Sequence, residues 1–199
     1  MSPGETELVR LRNGSTVTLR PATAADEPAL YLFLSGLCLE ARRLRFFSGA
    51  PNLDHAAHLA AATGADRYGL IAYDDIGAIV GHAAYVRLDA PPDTGSAGGV
   101  DSQPRLPARA EVAVEVADHL HGQGLGTILI ERLAIVAERR GITRFVAEVL
   151  AENRAMLDVF REGFDARVIR HDGPEERVEF LTSGWRLARA RFGAAVPTS

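Results

Sequence analysis

The chain has 199 residues, of which 47% are hydrophobic and 24% charged, and its formal net charge is -4 at pH 7. This length suits one domain over residues 1–199, and the negative charge gives no attraction to nucleic acid or an anionic membrane. A single cysteine, Cys38, excludes an internal disulfide and a thiolate metal cluster, and its apolar neighbours predict a buried, inert thiol. No apolar run is long enough to span a membrane and no signal peptide is recognisable, so we expect a cytoplasmic protein.

The N-terminal part predicts a β-hairpin followed by helices. Asn13-Gly14 is a strong turn signal between two β-branched segments, and Pro21 ends the second of them. Thr23 and Asp54 are the expected N-caps of the first and third helices. The predicted elements are strands 8–11 and 16–20 and helices 23–37, 39–46 and 54–62.

Two strands, 67–73 and 78–88, follow around the turn at Asp74 to Gly77. Ala90 to Pro107 then holds four prolines and several Gly, Ser and Asp residues, a composition that cannot form a core. We interpret about residues 90–108 as a mobile loop joining neighbouring antiparallel strands, because neither flanking half looks like a complete domain.

The segment from Arg109 to Gly141 predicts a strand, a glycine-rich turn and an amphipathic helix. Residues 110–117 alternate Glu or Ala with valine, which is the period of a β-strand. His121 to Gly126 contains three glycines at alternate positions, and the helix that follows ends at Gly141. Glycines have no side chains to block the free N–H groups at the start of the following helix, and such groups suit a phosphate or diphosphate.

Several interpretations compete for this turn. A P-loop is excluded because the chain contains no lysine; all 22 basic residues are arginine. A dinucleotide-binding G-x-G-x-x-G motif has a different glycine spacing, although Glu148 lies where a ribose-binding acid would be expected. A third interpretation is a coenzyme A diphosphate loop. A turn that merely lets the helix and strand pack closely is the fourth.

The C-terminal part predicts strand 143–150, helix 153–162, strands 164–171 and 176–182, and a terminal helix from Trp185 to Phe192. The whole order resembles the GNAT acetyltransferase superfamily. Gly124 and Gly126 match its loop pattern Arg/Gln-x-x-Gly-x-Gly/Ala, with His121 in place of the usual Arg or Gln. Further matching features are Leu19-Arg20-Pro21, the segment from Leu39 to Phe47, Ala110-Glu111, Asn153 and Gly163-Phe164, several of which resemble the bacterial protein lysine acetyltransferase branch.

The resemblance implies an α/β (α+β) GNAT fold, a mostly antiparallel twisted sheet of about seven strands flanked by helices. It implies acetyl-CoA as the cosubstrate, with the thioester carbonyl bound by a backbone N–H near Val116. The expected cofactor-binding residues are Val114, Val116, His121, Gly122, Gln123, Gly124, Leu125, Gly126, Thr127 and Asn153.

The resemblance also implies acetyl transfer to an amine, whose ammonium form must first lose a proton. It places the general base at Glu111. Glu115 lies on the same strand face and is the reserve candidate. We expect the two carboxylates to lie roughly 7 Å apart along the strand and to raise each other's pKa, which would suit a base working near neutrality. Many family members have a tyrosine as general acid where this chain has Phe160, so that role is vacant or filled by water.

The expected acceptor is the lysine side chain of a target protein, and family resemblance suggests an acyl-CoA synthetase. A small-molecule amine is the alternative acceptor, and a non-catalytic CoA-binding sensor is the alternative class. Histidines 119 and 121 lack further ligands at suitable spacing, so we expect no metal site. The arginines at 42, 43 and 45 could meet an acidic partner, but a solvated helix face is the default expectation. Homodimers are common in the superfamily, but no pattern here indicates one.

Overall fold

The computed structural model describes residues 6–47, 50–88 and 108–186. Within these ranges, eight strands and five α-helices form the fold, and none of the helices is long and apolar enough to cross a membrane. The elements are β1 (Glu7–Arg10), β2 (Thr16–Pro21), α1 (Glu27–Gly36), α2 (Leu39–Phe46), α3 (Leu53–Ala61), β3 (Arg67–Tyr73), β4 (Ile79–Arg87), β5 (Ala108–Val116), α4 (Leu125–Arg139), β6 (Ile142–Leu150), α5 (Arg154–Phe164), β7 (Arg167–Asp172) and β8 (Glu175–Leu181).

The strands form a single mixed sheet with the order β1-β2-β3-β4-β5-β6-β8-β7. Among the described strands, β5 and β6 are the parallel pair, and every other neighbouring pair is antiparallel. The predicted mostly antiparallel sheet is therefore confirmed, with eight strands in place of about seven. One parallel pair in an antiparallel sheet also differs from the doubly wound parallel sheet that a dinucleotide-binding motif requires, so that interpretation of the glycine turn is wrong.

The parallel pair opens along its length. β5 pairs with β6 from Ala108 to Glu111, opposite Ile142 to Val146, and the pairing stops there. On its other side β5 stays paired with β4 up to Val116. Among the described strands, none pairs with this edge in the second half of β5, and a wedge-shaped opening separates it from β6.

Helices cover both faces of the sheet. The larger core contains valines of β5, the buried side of α4 and a cluster of aromatic rings between α5 and β8. Phe160 and Phe180 are typical of that cluster, with ring centroids 5.1 Å apart. The smaller core joins α1 and α3 to the opposite face, where Ile71 is fully buried. Burying apolar surface on both faces fixes the position of each strand of the sheet.

Most predicted elements are confirmed, and the differences lie at their ends. The predicted helix 39–46 is α2 with the same bounds. The third helix begins earlier than predicted, because Asn52 is its cap and accepts a hydrogen bond from the His55 N–H at 2.9 Å. Phe164 ends α5 and does not begin a strand. The predicted loop at 90–108 lies almost wholly outside the described residues, as does most of the predicted helix at 185–192.

Gly81 is where β4 passes beneath α4. A Cβ atom added at this position would lie 3.1 Å from side-chain atoms of both Leu125 and Leu129. We expect Gly81→Val to lower the free energy of unfolding by about 2 kcal/mol, because the added methyl groups overpack the contact between helix and strand. Chemical denaturation would measure this change. The control is Gly64→Val, where an added Cβ meets nothing within 4 Å, and equal losses in both variants would contradict the explanation.

Candidate active site

A cleft of about 240 Å³ lies where β5 and β6 separate. The glycine turn and the start of α4 form one end of it, α5 forms a second wall and α2 a third. Of the residues predicted for the site, those that line this cleft are Glu111, Val114, Glu115, Val116, His121, Gly122, Gly124, Leu125, Gly126, Thr127 and Asn153. Gln123 is in the turn but does not line the cleft; its carbonyl oxygen accepts a hydrogen bond from the Arg12 N–H at 3.1 Å.

The open edge of β5 presents backbone groups to the cleft. Ala117 donates to the Val80 carbonyl at 2.9 Å, so the odd-numbered residues of β5 exchange their hydrogen bonds with β4. Backbone groups alternate sides along a strand, so the N–H and C=O groups of Val114 and Val116 point away from β4. The β6 pairing has already ended at these positions. Apart from the Val116 carbonyl, which accepts a hydrogen bond from His121, these groups are therefore available to pair with an extended ligand in the wedge.

His121 contacts this edge directly. Its Nε2 lies 3.0 Å from the Val116 carbonyl oxygen, so the ring carries a proton on Nε2 and donates it to that oxygen. The imidazole side chain is 57% exposed. His121 thus occupies the family position of Arg or Gln, and its side chain contacts the β5 edge.

The glycine turn presents N–H groups at the start of α4. Gly124 is the N-cap and has φ +88°, a conformation that glycine adopts without strain. Its carbonyl accepts from the Ile128 N–H at 3.1 Å, which begins the helix. Within the described part of the chain, no backbone or side-chain acceptor meets the N–H groups of Gly124 to Thr127. Several N–H groups at the positive end of a helix dipole form a setting that suits a diphosphate.

Asn153 is the N-cap of α5, as the sequence predicts. Its Oδ1 accepts a hydrogen bond from the Met156 N–H at 3.2 Å. The side-chain oxygen therefore caps the helix, and the residue also lines the cleft. Its predicted contact with a cofactor stays a prediction.

Glu111 stands on the face of β5 that points toward α2, near the point where β5 and β6 part. Its side chain is exposed, and no residue in the described ranges forms a hydrogen bond or ion pair with its carboxylate. A solvated carboxylate that lines a cleft and has no ion-pair partner can accept a proton without breaking an existing interaction.

Glu115 differs from Glu111 in its burial and in its ion-pair partners, both of which affect proton transfer. Its side chain is 3% exposed and forms hydrogen bonds with Arg45 Nε at 2.6 Å and with His82 Nδ1 at 3.1 Å. Burial alone would raise the pKa of Glu115, but the charges of Arg45 and His82 outweigh it and lower the pKa to about 2. Four residues along a strand also separate it from Glu111 by about 13 Å. The expectation of a raised pKa is therefore wrong for Glu115, which is poorly suited to act as a base.

Polar interactions hold both ends of α2 in place beside the cleft. At its start, the Cys38 N–H donates to Asp118 Oδ2 at 3.0 Å, and at its end Arg45 binds Glu115. Arg43 adds an ion pair with Glu152, in the connection between β6 and α5. The prediction of a buried Cys38 is wrong: the residue is exposed, and its Sγ caps α2 by accepting from the Ala41 N–H at 3.4 Å.

Phe160 lines the cleft where many related enzymes carry a tyrosine. It is 1% exposed, and its ring belongs to the aromatic cluster of α5 and β8. Phenylalanine has no ionisable proton, so this side chain cannot protonate a leaving thiolate. Within the described ranges, no cluster of three or more His, Cys, Asp or Glu residues is arranged to hold a metal ion.

Sequence reasoning missed two arginines of the cleft, Arg12 and Arg45. Arg45 was expected on a solvated helix face, yet its partner is a buried carboxylate 70 positions away in the chain. Arg12 lies in the hairpin turn, and its Nη1 donates to the Gly122 carbonyl at 3.3 Å, across 110 positions. No local pattern signals such contacts, because they depend on how distant elements pack together.

Comparisons with known proteins agree with this geometry. The model of the acetyltransferase (GNAT) family matches residues 38–164, which include α2, the glycine turn and α5. The chain therefore belongs to the GNAT acetyltransferase family, a family of acyltransferases.

Solved structures place the chain more closely. It is similar to the GNAT domain of Pat from S. lividans, with 32% identity, a TM-score of 0.71 and coverage of 88% of this chain and 96% of that one. A cAMP-binding acyltransferase from Mycobacterium smegmatis shares the fold at 21% identity and a TM-score of 0.59; the match covers 98% of this chain but 50% of that protein. A ribosomal-protein-alanine N-acetyltransferase from Brucella melitensis shares it at 22% identity and a TM-score of 0.58, covering 82% and 98% of the two chains.

Proposed function

We propose that this protein transfers the acetyl group of acetyl-CoA to the lysine side chain of a target protein, with Glu111 as general base. One observation carries the proposal. A single strand, β5, contributes an open backbone edge and an exposed, unpaired carboxylate to the same cleft. The edge suits an extended pantetheine arm, and the carboxylate suits the removal of a proton from an incoming amine.

Different backbone groups of the cleft bind different parts of acetyl-CoA. The N–H groups after Val116 bind the diphosphate of acetyl-CoA, and the free backbone N–H and C=O groups of Val114 pair with its pantetheine arm. The Val116 N–H donates to the thioester carbonyl oxygen and stabilises the negative charge that develops there. The cosubstrate supplies the activated acetyl group, and the protein positions it.

Glu111 makes the acceptor reactive. A lysine ammonium group has a pKa near 10.4 in solution and cannot attack a carbonyl until it loses a proton. The Glu111 carboxylate takes that proton through bridging water as the amine nitrogen bonds to the carbonyl carbon, because five strand positions separate Glu111 from Val116. The carbon–sulfur bond then breaks, the nitrogen gives its second excess proton to water, and the coenzyme A thiolate leaves. Water protonates the thiolate in this proposal, because Phe160 cannot.

The resemblance of Leu39 to Phe47 and of Ala110-Glu111 to bacterial protein lysine acetyltransferases supports a protein acceptor, and an acyl-CoA synthetase is the first acceptor we would test. A second class stays open because of Phe160. A domain that binds coenzyme A as a sensor, without turnover, needs the glycine turn but neither a general base nor a general acid. Such a domain would bind acetyl-CoA and release no thiol with any acceptor.

The test is a thiol-release assay with acetyl-CoA across candidate proteins and small amines, followed by mass spectrometry of the acetylated product. The absence of lysine from this chain removes a common ambiguity, because every acetyl-lysine found in the mixture must come from the acceptor. Acetyl-lysine on a protein supports the proposal. Modification of small amines alone moves the assignment to the alternative acceptor class, and no release with any acceptor favours the sensor.

A further inference from the structure

Two arginines of the described residues line the cleft, and their surroundings differ. The Arg45 guanidinium is held by the buried Glu115 carboxylate. Arg12 has no carboxylate partner among the described residues, and it is exposed. Its guanidinium lies against the glycine turn, where a Cβ added at Gly124 would be 3.6 Å from Arg12 Nε. The Arg12 side chain is therefore an uncompensated positive charge placed beside the unpaired N–H groups of the turn.

The contacts of Arg12 also orient the turn. Its backbone N–H donates to the Gln123 carbonyl at 3.1 Å, and its Nη1 donates to the Gly122 carbonyl at 3.3 Å. Both carbonyl oxygens are thus drawn toward the β1–β2 hairpin. Anchoring them there leaves the N–H groups of the following residues, at the start of α4, free to bind a ligand.

The turn itself supplies little positive charge. Between Ala117 and Thr127 the sequence contains no arginine, and His121, at the family's Arg or Gln position, contacts the Val116 carbonyl. The Arg12 guanidinium beside the positive end of α4 has no carboxylate partner among the described residues, so an anion that meets both would relieve their mutual repulsion. A diphosphate carries charge and several acceptor oxygens, and the guanidinium fork suits such groups.

We propose that Arg12 is a diphosphate-binding residue of this protein, supplied by the β1–β2 hairpin in place of a basic residue in the glycine turn. This inference rests on the proposed function, since it takes coenzyme A as the source of the diphosphate. Nη1 keeps its bond to Gly122, and the remaining N–H groups of the guanidinium face the diphosphate oxygens. The hairpin thereby becomes part of the cosubstrate site.

The test is isothermal titration of coenzyme A into the full chain and three variants, at low and at high salt. Arg12→Ala removes the side chain, and Arg12→Gln keeps a neutral N–H donor for the Gly122 carbonyl. Arg10→Ala is the matched control, because Arg10 is equally exposed on the same hairpin, does not line the cleft and lies near Gly14. Thermal unfolding of each variant checks that the fold is kept.

We expect both Arg12 variants to bind coenzyme A about tenfold more weakly at low salt, and their affinity to depend less on salt than that of the wild type. Arg10→Ala should change affinity less than about twofold. If Arg12→Gln or Arg12→Ala binds like the wild type, or if the salt dependence is unchanged, Arg12 does not contact the diphosphate. If the wild type itself does not bind coenzyme A, the proposed function fails and this role fails with it.

Discussion

Replacing Glu111 with glutamine is expected to lower the turnover of acetyl transfer at least about tenfold, while acetyl-CoA affinity stays within about twofold. Glutamine keeps the size and polarity of the side chain but cannot accept the proton of the incoming ammonium group. Glu111 is exposed and has no ion-pair partner among the described residues, so its loss should leave the fold and the cosubstrate site unchanged. Steady-state kinetics and acetyl-CoA titration measure the two quantities separately.

Glu148→Gln is the matched control for this experiment. Glu148 also lines the cleft, but Arg177 Nη1 holds its carboxylate at 3.2 Å, so it is less available as a base. We expect its turnover to stay within about threefold of the wild type. Equal turnover in Glu111→Gln and the wild type would remove Glu111 from the mechanism. If acetyl-CoA affinity falls together with turnover, Glu111 maintains the structure of the site and does not act as the general base.

Replacing Arg45 with alanine is expected to lower the free energy of unfolding at neutral pH by about 3 kcal/mol. The change leaves the Glu115 carboxylate buried, with His82 as its remaining partner. A buried charge that loses an ion-pair partner destabilises the fold. The exposed ion pair between Arg43 and Glu152, on the same helix, contributes little to stability. Arg43→Ala is the control, because the Glu152 partner of Arg43 is 56% exposed, and it should cost less than about 1 kcal/mol.

The cost of Arg45→Ala should also depend on pH. In the wild type the pKa of Glu115 is lowered from 4.5 to about 2, so the ion pair stabilises the fold above pH 4.5 and this contribution is lost as the pH falls toward 2. Without Arg45 this contribution is largely absent. The difference in free energy of unfolding between the wild type and Arg45→Ala should therefore shrink as the pH is lowered. Denaturant titrations at several pH values measure it. Equal stability of Arg43→Ala and Arg45→Ala at neutral pH would contradict the structural role of the Glu115 pair.

The parts of the site that the sequence predicted are local. The alternation of valine with Glu and Ala in residues 110–116, and the glycines that follow, are confined to adjacent positions. Such patterns predict the local conformation directly, because side chains alternate between the two faces of a strand and a turn residue with positive φ is usually glycine. The bounds of α2 and the hairpin around Asn13-Gly14 were predicted for the same reason.

The parts that sequence reasoning missed depend on packing between distant elements. The partner of Arg45 is Glu115, which lies 70 positions further along the chain, and nothing in the α2 sequence indicates that this carboxylate is buried. Arg12 reaches Gly122 across 110 positions. The first residue of a helix is also hard to predict when two good caps, such as Asn52 and Asp54, stand close together, because either side chain can accept the helix N–H groups.

The cosubstrate cleft is the central claim, and calorimetric titration of acetyl-CoA into the purified chain tests it most directly. We predict binding of one acetyl-CoA per chain, competition by coenzyme A, and no heat with a nicotinamide dinucleotide. Absence of binding to acetyl-CoA, or binding of the dinucleotide in its place, would contradict the assignment of the β5 edge and the glycine turn to the cosubstrate.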